Sequence, residues 1–473
     1  KMSETFKGAV MIYKKLYDND NEPKPNIESD GTTNKDDWRK LKWPVAILKD
    51  GPKERVGSLR WALHEWSTDK SLFNTLGDYE DYGTIEEWNT SIITDMSGLF
   101  KDKDSFNEDI SEWDVGEVKY MSSMFEGAAD FNQDISGWNV SNAKDMSSMF
   151  EGASAFNKDI SNWERAAADG APVSTLVNVA TMESMFKDAK AFNQNIGNWN
   201  TENVNNMSHM FDGALVFNKS INSWNVSNVI TMASMFKDAK AFNQNIGTWN
   251  TENVDNMSHM FDGALVFNKS INSWSVNNVK TTEYMFSNAQ EFNNGSASLN
   301  TWQFNSNTNY EGMFKDARLF NQPINSWLNS APNNIENDDK ISFKDMFKDA
   351  LVFNQNLTDW VVENVKDMSG MFYRAMSFNN GLRGPPEGLK EADPVGNIKG
   401  WIYEGYDENN KSNKIPISKW KWDVQNVETM SHMFFGAWAF NQTLSHWNYG
   451  NSLKDTSYMF YNAITFNNGY EYG

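Results

Sequence analysis

The sequence predicts an α/β repeat solenoid of about 13 coils, each a short strand plus a short helix in 25 residues, behind an N-terminal capping region. Three observations carry this. The dipeptide Phe-Asn recurs thirteen times at one repeat position, from Phe106, Phe131 and Phe156 to Phe440 and Phe466. Six residues before each stands another Phe, from Phe100 to Phe460, and twelve of these follow a Met. Residues 185–224 and 235–274 differ at only two of 40 positions, Asn198/Thr248 and Asn205/Asp255, as a recent duplication of two coils would leave them. A fixed period of this length is the signature of stacked repeats.

Residues 1–87 do not share the period and are assigned to a capping region, since a terminal coil must hide its apolar face. Val10–Tyr13 and Trp43–Leu48 read as strands, and Leu59–Trp66 has helical spacing. Residues 88–473 form the array. In the unit 138–163, the alternation Trp138-x-Val140 predicts a short strand. Met146, Met149, Phe150, Ala153 and Phe156 fall on one face of a short helix, with Asp145 as its N-cap. The helix is expected to stop at the Phe-Asn step, where Asn157 takes a left-handed conformation or satisfies exposed carbonyls. No unit closes a core alone, so the coils must stack, with Phe, Met, Trp and Val in ladders and an Asn ladder at the turn. At strand spacing the stack is about 60 Å long.

Three departures from the 25-residue step lie between the end of the helix and the next strand. Extra chain follows Trp163 (Glu164–Ser174) and Trp327, and the long insertion 381–419 separates Phe378 from Phe434. Insertions crowded on one side of a solenoid are a common place for binding. Only seven residues follow Phe466, and no C-terminal cap is visible.

Composition narrows the function. The net charge of −21 repels phosphates, which argues against nucleic acid or anionic lipid as partner. The chain has no cysteine, which excludes disulfides, thiolate catalysis and Cys-ligated metal. No apolar run approaches the length of a membrane span, so no membrane insertion is expected. Nothing at Lys1 resembles a signal segment, so any leader has been removed or lies outside this numbering.

The motif M-S-x-M-F-x-x-A-x-x-F-N-x-x-I-x-x-W-N-V-x-N-V resembles the repeat of the BspA-like surface proteins, the Mycoplasma-type 25-residue DUF285 repeat, over roughly residues 85–467. The stretch Leu59–Trp66, then Tyr82-Gly83, Ile85, Trp88-Asn89 and Thr94-Asp95-Met96, resembles the lead-in of algal members. The resemblance implies a leucine-rich-repeat-like solenoid, secreted or at the cell surface, with adhesive or structural roles. Bacterial relatives are associated with host matrix proteins. The family brings no catalytic residues.

Candidate sites are few. His209, His259 and His432 share one repeat position, but His209 and His259 are two coils apart, too far for one metal. The EF-hand pattern is incomplete at Asp18–Glu22 and Asp102–Asp104, so no metal or cofactor is expected. Nucleophile-elbow, phosphate-loop and zincin motifs are missing, which disfavours an enzyme. The once-per-coil Trp reads as core. Trp401, Tyr403, Tyr406, Trp420 and Trp422, in or beside the insertion, are the candidate contact surface. Sequons stand at Asn89, Asn139, Asn206, Asn218, Asn225, Asn256, Asn268, Asn294, Asn356, Asn410 and Asn441. Met459, Phe460 and Phe466 mark an open coil that another chain could continue.

The expected function is therefore an extracellular structural or adhesive solenoid that self-assembles head-to-tail into filaments. The competing expectation is a soluble module that binds carbohydrate, or a cell-surface or matrix protein, through the insertion side.

Overall fold

The computed structural model describes residues 58–68, 84–163, 165–166, 172–173, 176–304, 308–328, 341–381, 420 and 422–466. Helix α1 (Leu59–Thr68) comes first. The strands are short: β1 (Arg165–Ala166) pairs antiparallel with β2 (Pro172–Val173), β3 (Ile341–Ser342) parallel with β4 (Val365–Asp367), and β5 (Asp423–Val424) parallel with β6 (Asn448–Tyr449). The expected strands at 10–13 and 43–48 lie outside the described residues.

Stacked coils make up the rest, held by hydrogen bonds between neighbours. The N–H groups of Met121, Ser123, Phe125 and Gly127 donate to the carbonyls of Asp145, Ser147, Met149 and Glu151 at 2.7–3.0 Å. These four columns recur at each junction from Met96, Gly98, Phe100 and Asp102 down to Met430, His432, Phe434 and Gly436. Single-residue parallel bridges mark the first column, as at Asp95–Tyr120, Tyr120–Asp145 and Asp145–Thr181.

This pattern corrects the expected helix. From Met146 to Phe156 the chain runs through overlapping turns, Met149 to Met146, Glu151 to Ser148 and Ala153 to Phe150. The N–H groups of Met146, Ser148, Phe150 and Gly152 leave the turn for the next coil. Ser148 (φ 54°) and Gly152 (φ 71°) are left-handed, which no α-helix accommodates in its interior. At the Gly152 position most coils carry Gly or Asp, and glycine makes room where the coil before carries the aspartate. A Cβ on Gly213 (φ +71°) would meet Asp188 Oδ1 at 2.5 Å. Asp145 is accordingly not a helix cap. It occupies the bridge, and its carboxylate accepts from the Ser147 N–H at 2.9 Å and hydroxyl at 2.6 Å. In this coil the strand-like contact sits there and not at Trp138–Val140, and the expected strand at the Trp-x-Val position forms between the last two coils, where β5 follows Trp422 and β6 follows Trp447.

The core is a set of ladders. Phe100, Phe125 and Phe150 stack at 5.4 and 5.6 Å, a row that continues to Phe434–Phe460 at 5.6 Å. A second row runs from Phe106–Phe131 to Phe440–Phe466. Within a coil the two rows touch, as at Phe125–Phe131 (3.9 Å). Such stacked, fully buried rings add geometry-dependent attraction to their area burial. Trp138 closes the coil by donating its Nε1–H to the Ile110 carbonyl of the coil before, at 3.2 Å. Asn157 is the expected ladder rung, with a different role from the expected cap. Its N–H donates to Asn132 Oδ1 at 3.0 Å, and its own Oδ1 accepts from the Asn193 N–H at 2.9 Å.

Candidate functional site: the open C-terminal coil

The two ends of the stack are finished differently. At the first coil α1 buries Leu59, Ala62, Leu63 and Trp66, and Trp66 meets the edge of Phe106 at 6.3 Å. Arg60 Nη2 donates to the Ser97 carbonyl at 2.6 Å.

At the last coil the stack is open among the described residues. Thr456, Tyr458, Phe460 and Asn462 stand where Met430, His432, Phe434 and Gly436 donate forward one coil earlier, and their N–H groups have no partner among the described residues. Tyr458 and Tyr461 are 62% and 60% exposed, and Ile464 is exposed beside them. Met459 is buried, while Phe460 and Phe466 are half-buried and stack on each other at 4.1 Å. Tyr449, Thr456, Tyr458, Met459, Phe460 and Tyr461 line a shallow depression of about 550 Å³. Asp455, which precedes Thr456, is held below the usual carboxylate range by the backbone N–H and the hydroxyl of Ser457, and burial pushes the Tyr449 phenol up. The surface offers backbone donors above aromatic rings and no array of acid–base groups.

A second aromatic row reaches this end from the flank. Tyr373 stacks on Phe435 at 4.6 Å and Phe435 on Tyr461 at 5.1 Å, while His432 stacks on Tyr458 at 5.2 Å. Earlier coils hold charges at the same place, as in the Lys101–Glu126 pair (2.8 Å) and the Lys187–Glu151 pair (2.7 Å).

The structure overturns part of the expected contact surface. Trp420 and Trp422 are 3% and 1% exposed, and Trp422 is an ordinary ladder tryptophan whose Nε1–H donates to the Leu357 carbonyl at 3.0 Å. Trp420 packs edge-on against Phe378 and Phe440. Trp401, Tyr403, Tyr406 and Asn410 lie outside the described residues.

The sequons divide by geometry. Asn294 is fully buried, with its Nδ2 donating to the Ala297 carbonyl, so it is not a glycan acceptor in this fold. Asn206 spends its Nδ2 on Glu183. Asn89, Asn139, Asn225, Asn256 and Asn356 each turn Oδ1 onto the N–H two residues on. Asn218 and Asn268 are ladder rungs whose Oδ1 accepts from the next coil, and the Asn441 N–H donates to Asn379 Oδ1.

Of the three histidines at this repeat position, His209 and His259 each pair through Nδ1 with an aspartate of their own coil, Asp212 or Asp262, at 2.9 Å. Among the described residues no three metal-ligating side chains converge, and no helix is long and apolar enough to cross a membrane.

Sequence reasoning missed Thr456, Tyr458, Tyr461 and Asn462. Their contribution is largely main-chain, and only the change from charged residues to tyrosine at the repeat position signals it.

None of the curated proteins matches the chain. Among solved structures, one described as the TLR13-ssRNA13 complex aligns at 9% identity with a TM-score of 0.17, covering 61% of this chain and 48% of that one. The chain thus spans about half the length of that match. The family profile described as "Mycoplasma protein of unknown function, DUF285" matches residues 69–172, 173–262, 244–339, 336–385 and 402–472. With most of its length matched, the chain belongs to the DUF285 family.

Proposed function

We propose that the chain is a non-enzymatic structural or adhesive solenoid, leucine-rich-repeat-like and of about 13 coils, that works outside the cell or at its surface. Its C-terminal coil is the docking end for a second copy. The observation that supports this is the end itself: four outward N–H donors over the open faces of Phe460 and Phe466. Unpaired edge groups of this kind are a template for another chain. Many equal coils on one scaffold would also let weak contacts add by avidity.

Beads coated with the full chain test it. Homotypic clustering is expected, and the pair Phe460→Asp with Tyr461→Asp should abolish it. Clustering that ignores those substitutions would overturn the docking end. The second reading, recognition of carbohydrate or of a cell-surface or matrix protein, draws support from the sequence position of the three insertions, each between a Phe-Asn step and the next bridging residue. It expects binding to glycan- or matrix-coated beads that disappears when residues 382–418 are excised, with homotypic clustering unchanged.

A further inference from the structure

The direction of the hydrogen bonds makes the two ends of the solenoid chemically opposite. In all four columns the peptide groups aim N–H toward the C-terminal end and C=O toward the N-terminal end. The last coil therefore presents donors at Thr456, Tyr458, Phe460 and Asn462. The first coil presents, on its outer side, the carbonyls of Asp95, Ser97, Leu99 and Lys101, in the places where those of Tyr120, Ser122, Met124 and Glu126 accept one coil later. A fifth column runs the other way, from the Lys119 N–H to the Thr94 carbonyl through to the Lys454 N–H and Glu428 carbonyl, and it too is completed only by an opposite end.

Two C-terminal ends cannot continue these columns, because donor would face donor in each of the four and carbonyl would face carbonyl in the fifth, and each buried donor left unmet is costly. The complementary surface for the last coil is the first coil of another copy, and α1 sits on it. The Arg60 guanidinium donates into the acceptor edge at Ser97, lying 3.6 Å from Asp95 Oδ1. Trp66 meets Phe106, the first ring of the second phenylalanine row. Against that seat a second copy offers four backbone donors in register and two stacking rings, Phe460 and Phe466, at the spacing the rows already use.

We propose that α1 is a removable stop on assembly. While it is seated the chain stays single in solution. When it is displaced, the last coil of a second copy takes its place and continues the four columns and both phenylalanine rows. The contact is heterologous and does not close, so the product is a filament. This rests on the reading of the C-terminal coil as a docking end.

The test uses the full chain carrying Arg60→Ala, Leu63→Asp and Trp66→Asp, followed by light scattering and electron microscopy. The unsubstituted chain should stay at 54.1 kDa in free solution, where single contacts against the seated stop cannot add as they do between densely coated beads. The substituted chain should rise several-fold in mass with concentration and form filaments. Adding Thr456→Pro deletes one outward donor that has no partner among the described residues, and should return the mass to that of the single chain with the far-UV spectrum unchanged. A substituted chain that stays single with its coils folded would overturn the proposal, as would an associated state indifferent to Thr456→Pro. Filaments of equal mass from the unsubstituted chain would overturn the stop and leave the docking end standing. Failure of the docking end itself shows separately, as bead clustering that survives Phe460→Asp with Tyr461→Asp.

Discussion

Phe372 and Phe434 stack at 5.5 Å and 8°, although 62 residues apart in the chain. Phe100 and Phe125, which are 25 apart, stack at 5.4 Å and 7°. The insertion between the first pair leaves the ladder in register. Trp422 confirms this by bonding back to Leu357 as Trp360 does to Ile324, at 3.0 and 3.1 Å.

Excising residues 382–418 removes 37 residues and restores the ordinary step, since 62 − 37 = 25. Joining Gly381 to Lys419 then places Trp422 seven residues after Phe378, as Trp360 follows Phe353. Chemical unfolding should remain cooperative, with stability unchanged or raised by no more than about 1–2 kcal/mol from the shorter loop. Loss of cooperative unfolding would show that the insertion holds the coils together.

The asparagine ladder should be worth its acceptors and little else. Asn243→Ala removes the oxygen that receives the Asn268 N–H at 3.0 Å and leaves that donor unmet. The expected loss is about 1 kcal/mol, at the low end for an unsatisfied donor because the rung is only part-buried. Asn243→Asp keeps an acceptor there and should sit closer to the unsubstituted protein in urea titration.

The phenylalanine row should show position dependence. Phe211 is fully buried between Phe186 and Phe236 at 5.7 and 5.6 Å, so Phe211→Ala should cost about 3–5 kcal/mol and break the array in the middle. Phe460→Ala, at the half-buried end, should cost clearly less. Calorimetry separates them, with a split transition expected only for Phe211→Ala.

Acid should loosen the turns first. The Asp109 carboxylate is held below its ordinary range by the backbone N–H and then the hydroxyl of Ser111, and Asp134 by the Ser136 hydroxyl and then its N–H. Because the folded groups titrate below the unfolded value of about 3.9, their contribution is complete above that pH. It is lost as the pH falls through the lower folded values. The melting temperature should be flat near neutrality and decline below about pH 4, with a shallower decline in the Asp109→Asn, Asp134→Asn double variant. Both groups lie near the surface, so the effect should be modest.

Expression in a glycosylating host should sort the sequons by geometry. Asn225 and Asn356 are exposed, with Oδ1 tied into their own turns, and should carry glycan. Asn294 and Asn206 should not. Peptide mass spectrometry after glycosidase treatment in heavy-oxygen water reads each site.

The period, the Phe, Met and Trp core and the asparagine ladder were legible because each is a side-chain regularity. The helix was misread because spacings of three and one place Met146, Met149, Phe150 and Ala153 on one face either way. Whether their N–H groups bond within the turn or to the next coil leaves no mark on that pattern. The sign against a helix was glycine in its middle, at Gly127, Gly152, Gly213 and Gly263, all left-handed here. Trp422 was misread from its nearness to the insertion. It lies 25 residues before Trp447, which places it in the ladder. The direction of the columns, and so the chemistry of the two ends, is a main-chain property that no residue type announces.

Native-state hydrogen exchange of the dilute full chain tests the central claim, one continuous stack with an open last coil, most directly. Slow exchange is expected at Met368, Gly370, Phe372 and Arg374 and at Met430, His432, Phe434 and Gly436, with fast exchange at Thr456, Tyr458, Phe460 and Asn462. Fast exchange in the 368–374 group would mean that the stack breaks at the insertion. Slow exchange at 456–462 in the single chain would mean that the end is already covered.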